Sequence, residues 1–179
     1  MNTDNAHIIA ACKKQDRVAQ QKLFSLYNQA LYKSAYMQLS DDHSAKEVTQ
    51  QTWIDIFRGL DKYDSSKSQI ITWMKTILIR KIWKHYKDRF EVVDIDQART
   101  EEQRGDKIIS KISCDELLKE MDRIPEISRM VFKLYVLEGY KHNDIAQVLG
   151  ITESTSRVHL SKARKVMKQR YLTINKITG

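Results

Sequence analysis

The side chains with the most chemical potential in this sequence are its cations, because they are concentrated. Residues 75–87 hold Lys75, Arg80, Lys81, Lys84 and Lys87, and residues 154–179 hold Arg157, Lys162, Arg164, Lys165, Lys168, Arg170 and Lys176. Neither stretch contains an acid. Together they carry more positive charge than the net +8 of the whole chain, so the remainder is mildly acidic. Acid-free basic segments suit a polyanion, since each phosphate neutralised releases a counterion. In the first segment and just before it aromatic residues interleave: Trp73, Trp83 and Tyr86 alternate with the cations. Bases stack on rings while cations follow the backbone, so this is a pattern for holding a nucleic-acid strand. Trp73 reads more readily as a core residue of its helix.

Catalytic constellations are absent from the sequence. His7, His43, His85, His142 and His159 are scattered, and Cys12 and Cys114 stand alone, so no metal-ligand spacing arises. No phosphate-cradling loop, nucleophile elbow or paired-carboxylate motif is present. The expectation is a protein that is not an enzyme and carries no cofactor or metal. No run of eighteen apolar residues could span a membrane, and Met1–Ala11 lacks the basic flank of a secretory signal, so a cytoplasmic protein without membrane insertion is expected.

The second basic segment sits in a recognisable frame. From Tyr140 to Arg164 the chain reads as a short helix, a turn and a second helix. Ala146 permits close helix approach, Gly150 suits a positive-φ turn, and Thr152 can cap the second helix, with Thr155 in its first turn. Ile145, Leu149, Ile151 and Val158 would pack the pair. The second helix then offers Glu153, Ser154, Ser156, Arg157 and His159 to base edges and Lys162, Arg164, Lys165 and Lys168 to phosphates.

The elements that must position these groups are helical. One proline, Pro125, and five glycines in 179 residues leave few breakers. Apolar spacing predicts helices over 8–39, 44–60 and 70–89, the second with Val48, Ile54 and Phe57 facing inward. A polar loop fills 61–68. Glu91 to Asp106 is acidic and poor in core residues, which marks a linker. Helical patterning resumes over 109–123, 127–138, 142–148 and 153–170. The fold class is therefore all-α, as two small helical domains joined by a linker.

With those residues in view, a family resemblance emerges. Tyr140–Arg164, together with Ile124-Pro125, Arg129–Leu134 and Glu138-Gly139-Tyr140, resembles region 4 of extracytoplasmic-function (ECF) sigma factors of the sigma-70 family. Independently, Asp42–Phe57, at Asp42, Ala45, Glu47, Val48, Gln50, Thr52, Trp53 and Phe57, resembles region 2 of that family. Trp73-Met74 with Ile77 resembles its next motif. The sequence departs from the family pattern at Arg80 and Lys84, where the family often has Asn and Asp, and at Lys46-Glu47 and Gln50-Gln51, which leaves that surface less acidic.

The resemblance implies a region 2-like bundle over 1–90, a linker over 91–111 and a region 4-like helix-turn-helix domain over 112–179. It implies a transcription initiation factor that binds core RNA polymerase and promoter DNA and is restrained by an anti-sigma factor. Asp42, Glu47, Gln50 and Trp53 would dock on polymerase. Lys75, Arg80, Lys81, Trp83, Lys84 and Lys87 would meet the −10 element, and loop 61–69 the separated strand. Glu153, Ser154, Ser156, Arg157, His159, Lys162, Arg164 and Lys165 would meet the −35 element. A regulator sharing only the C-terminal motif would need a strand-containing receiver domain, and residues 8–89 show no alternating strands. An RNA-processing enzyme would need a catalytic constellation.

Overall fold

Asp16 is where the first half of the chain acquires its frame. Its carboxylate accepts hydrogen bonds from the backbone N–H of Val18 at 2.8 Å and of Ala19 at 3.1 Å. That cap starts helix α2, Arg17–Leu39, and separates it from α1, Asp4–Lys13. The single helix expected over 8–39 is thus two, with Gln15 at a φ of 63° in the break. Gln15 is not a glycine, so breaker residues gave no warning.

These coordinates come from a computed structural model that describes residues 4–89, 121 and 124–177. The chain divides into two compact units, Met1–Glu91 and Val92–Gly179. The expected linker and most of the helix expected over 109–123 lie outside the described residues.

In the first unit, α2 ends at Ser40, whose φ is 56° and whose N–H returns to the Tyr36 carbonyl at 2.8 Å. Asp41 then caps α3, Asp42–Gly59, by accepting from the Ser44 N–H at 2.8 Å. A 3-10 turn, Leu60–Lys62, leads through a loop to α4, Ile70–Arg89. α2, α3 and α4 pack on one another around Leu23, Leu31, Ala35, Val48, Ile56, Met74, Leu78, Ile79 and Ile82, all at most 1% exposed. Burial of the leucine, isoleucine, valine and methionine side chains among them supplies about 1.5–3 kcal/mol each in transfer free energy. Long-range hydrogen bonds tie the ends: Tyr86 Oη donates to the Gln38 carbonyl at 2.8 Å, and Lys13 Nζ to the Tyr63 carbonyl at 3.1 Å.

The second unit runs α5, Glu126–Phe132, directly into a wide π-turn, Lys133–Leu137, then α6, His142–Leu149, and α7, Glu153–Ile177. The helix expected over 127–138 is therefore continuous in path but changes hydrogen-bond register midway. α5 and α6 both pack on α7, around Met130, Val131, Leu134, Ile145, Leu149, Leu160 and Ala163. Among the described residues there is no strand.

Gly150 has a φ of 68° and ends α6, with its N–H on the Ala146 carbonyl. A Cβ added there would meet nothing within 4 Å. Gly150→Ala therefore isolates the backbone cost of the left-handed conformation, about 1–2 kcal/mol. Urea unfolding followed by amide exchange in α6 and α7 should show that loss, and an unchanged free energy would mean the turn can relax.

Candidate nucleic-acid interface

The tip of α7 is built by local hydrogen bonds. Thr152 Oγ1 accepts from the Thr155 N–H at 3.0 Å, and the two hydroxyls lie 2.7 Å apart. That cap, following the Gly150 turn, sets where α7 begins and how it is rotated. The inward face carries Ser156, His159, Leu160 and Ala163, each at most 4% exposed.

Ser156 and His159 were expected among the base-reading residues, and their burial corrects that. Ser156 Oγ lies 2.9 Å from His142 Nδ1 on α6, and Ser128 Oγ on α5 lies 2.9 Å from His159 Nδ1. These polar side chains pair inside the unit and fasten α7 to both neighbours. Burial pushes both imidazoles below their ordinary pKa. The cations Arg157 and Arg164 reinforce this at His142, against the opposing carboxylate of Glu153, and Lys162 does so at His159. The His142 ring also stacks on Tyr135, with centroids 4.5 Å apart.

What remains outward is a stripe at helical spacing. Glu153, Ser154, Arg157, Arg164, Lys165 and Lys168 are exposed. Arg157 pairs with Glu153 one turn before it. Arg164 also lies over the Tyr135 ring, 5.8 Å from its centroid. Lys162 sits on the flank and is half-buried. Ser161, half-buried between Arg157 and Lys165 on this face, was not anticipated; only the helical count from Arg157 could have pointed to it.

In the first unit the basic segment divides. Arg80, Lys84 and Lys87 are exposed and share a face of α4 with half-buried Trp83, whose ring lies 5.1 Å from the Lys87 ammonium. Lys81 lies elsewhere, in an ion pair with Asp55 of α3 at 2.5 Å, and Lys75 is half-buried on another side. Trp73 packs against Tyr63, with centroids 5.4 Å apart.

The α3 residues expected to dock on polymerase also divide. Asp42, Glu47 and Gln50 are exposed. Asp42 accepts from Lys46 at 2.7 Å and Tyr32 at 2.5 Å, which hold its carboxyl below the usual range and push the Tyr32 phenol up. Trp53 is instead a core residue, 4% exposed, with its Nε1–H on Asn28 Oδ1 at 3.0 Å. Ile54, expected inside, is 51% exposed. Of the three residues expected inside, Val48 is buried and Phe57 half-buried; Thr52, Trp53 and Ile56 complete the inward face in place of Ile54.

A tight turn, a capped second helix and an outward basic stripe define a helix-turn-helix of the DNA-binding kind. The family description "Sigma-70 region 2" matches residues 23–90, and "Sigma-70, region 4" matches residues 114–167. The chain belongs to the sigma-70 family, in its ECF subfamily, whose members are transcription initiation factors. It is 24% identical to the ECF RNA polymerase sigma factor SigE of Mycolicibacterium smegmatis, across 77% of this chain but only 56% of that protein. It is 23% identical to the ECF RNA polymerase sigma factor SigW of Bacillus subtilis, across 90% of this chain and 93% of that one. Among the solved structures that share the fold are two complexes. One is the sigma factor RpoE in complex with the anti-sigma factor NepR from Bartonella quintana, with a TM-score of 0.60 and 18% identity over 83% of this chain and 94% of that one. The other is CnrH with the cytosolic domain of CnrY, with a TM-score of 0.59 and 16% identity over 93% and 96%. Among the described residues, no cluster of side chains could hold a metal ion and no helix is long and apolar enough to cross a membrane.

Proposed function

We propose that this chain binds core RNA polymerase through its first unit and directs it to promoters, reading the −35 element with α7 and the −10 element with the Arg80, Trp83, Lys84 and Lys87 face of α4. The observation that carries this reading is the outward stripe of α7, where an acid-free run of cations begins at Arg157, on a helix presented by a turn and two neighbours. Residues near the start of such a helix reach base edges, and later cations meet phosphates. The exposed Asp42, Glu47 and Gln50 of α3 are the polymerase contacts in this scheme, and an anti-sigma factor is the natural restraint. The solved relative in complex with NepR supports that last assignment.

Holoenzyme assembled from the full chain and core RNA polymerase tests the scheme. Promoter-specific transcription that depends on the chain is the expected result; no association with core polymerase would overturn it. Within that assay, Arg157→Ala should cost about 1–3 kcal/mol on the preferred −35 sequence and flatten discrimination among sequences. Lys165→Ala should weaken all sequences alike and lower the salt slope by roughly one unit. Equal weakening of every sequence by Arg157→Ala would make Arg157 a phosphate contact.

A further inference from the structure

Glu153 is the sole acid in the sequence of α7, and it stands at the N-terminal tip of that helix. Its side chain is 47% exposed and that of its partner, Arg157, 48%. An exposed ion pair one turn apart adds little to stability. An acid at the first turn also complements the helix dipole. Neither effect requires the partner to be the cation nearest the tip. Arg164, Lys165 and Lys168 have no acid one turn before them, since the residues there are Leu160, Ser161 and Arg164. None of the three has a carboxylate to leave before meeting a phosphate, although Arg164 lies over the Tyr135 ring.

The two partners differ in what DNA can offer them. A guanidinium only donates hydrogen bonds, so a phosphate or the N7 and O6 of guanine satisfies it. A carboxylate only accepts. Phosphate repels it, and its partners in the major groove are the exocyclic amines of cytosine and adenine. On non-specific DNA, Arg157 can turn to a phosphate only by leaving Glu153 unpaired beside a polyanion. On a matching site both groups gain a partner. The mounting of α7, through the Thr152 cap and the Ser156 and His159 bonds, fixes the face of the unit from which the pair projects.

We propose that Glu153 and Arg157 act as one specificity element: Arg157 is released to DNA only where a guanine lies within a base pair or two of a cytosine or adenine that can donate to Glu153. Four residues of helix rise about 6 Å, which matches roughly two base-pair steps. The acid therefore works chiefly against wrong sequences, by the cost it imposes there. The inference rests on the reading of α7 as the helix that meets base edges.

The test is binding of holoenzyme, made with the full chain, to promoter DNA randomised across the −35 element and to scrambled DNA of equal length. Glu153→Gln keeps the shape and loses the charge. It should tighten binding to scrambled DNA and reduce the promoter-to-scrambled ratio by about tenfold. Glu153→Asp, which keeps the charge, should restore part of that ratio. In the double variant with Arg157→Ala, removing Glu153 should cost no further discrimination. Two outcomes overturn the proposal: Glu153→Gln shifting promoter and scrambled DNA by equal factors, or leaving both unchanged while Arg157→Ala still flattens preference. If Arg157→Ala changes neither affinity nor preference, the base-reading role of α7 itself falls, whatever Glu153 does. Circular dichroism of each variant identifies loss of folding, and Glu153→Asp then carries the test.

Discussion

Trp53→Ala is expected to destabilise the first unit by about 3–5 kcal/mol, as removal of a large buried aromatic side chain does. Trp53 packs between Phe24, 5.0 Å between centroids, and Phe57, 5.3 Å, and its indole N–H holds Asn28. The loss would reach polymerase binding only through the fold. Trp53→Phe keeps most of the packing and should cost less. By contrast Glu47→Lys with Gln50→Ala alters exposed side chains of the same helix, and should weaken association with core polymerase while leaving the unfolding midpoint unchanged. All three tryptophans lie in the first unit, so fluorescence of Trp73 and Trp83 still reports its unfolding when Trp53 is gone. If Trp53→Ala kept its unfolding midpoint yet lost polymerase, Trp53 would be a contact residue and the packing account would be wrong.

Acid should loosen the second unit before it affects the first. His142 and His159 are buried in hydrogen bonds to Ser156 and Ser128, and both have pKa values held below 6.5 by burial and nearby cations. Below 6.5 the unfolded chain therefore takes up protons that the folded unit resists. The stability these groups provide is complete above about pH 6.5 and declines as pH falls from there toward the folded values. The slope approaches about 1.4 kcal/mol per pH unit for each imidazole. Urea unfolding at pH 7.5 and 5.5, followed by amide exchange in α6 and α7, should show the second unit weakened. Equal stability at both pH values would mean that the imidazoles are already charged when folded or are open to solvent. Independently of pH, His159→Ala should cost about 1–3 kcal/mol by stranding the buried Ser128 hydroxyl.

The parts of this fold that could be read in the sequence are those whose local signals agree with their tertiary role. Gly150 and Thr152 mark the turn and the cap, so the helix-turn-helix was legible nearly to the residue, and α4 was legible from its apolar spacing. The break at Gln15 was not, because a non-glycine residue takes the left-handed conformation there and only the Asp16 cap betrays it. The π-turn at Lys133–Leu137 was invisible, since a change of hydrogen-bond register leaves composition untouched. The interface was misread where polarity was taken for exposure. Ser156 and His159 are polar yet face inward, because each finds a partner on another helix that periodicity within α7 cannot reveal. On α3 Val48 faces inward as its spacing predicts, but of the adjacent apolar pair Trp53 and Ile54 it is Trp53 that is buried, a choice that hydrophobicity alone does not make.

The way α7 is mounted has a geometric consequence. Arg157 and Lys168 lie eleven residues apart on one helix, about 16 Å along its axis. If the first meets a base edge and the second a phosphate, the helix works as a caliper: it sets the spacing of the two side-chain roots, and only the reach of the side chains takes up a mismatch. A site whose groove is too wide or too narrow strains or loses one of the two contacts even when every contacted base is correct. Sequence at positions the protein never touches then influences affinity through the local width and stiffness of the duplex.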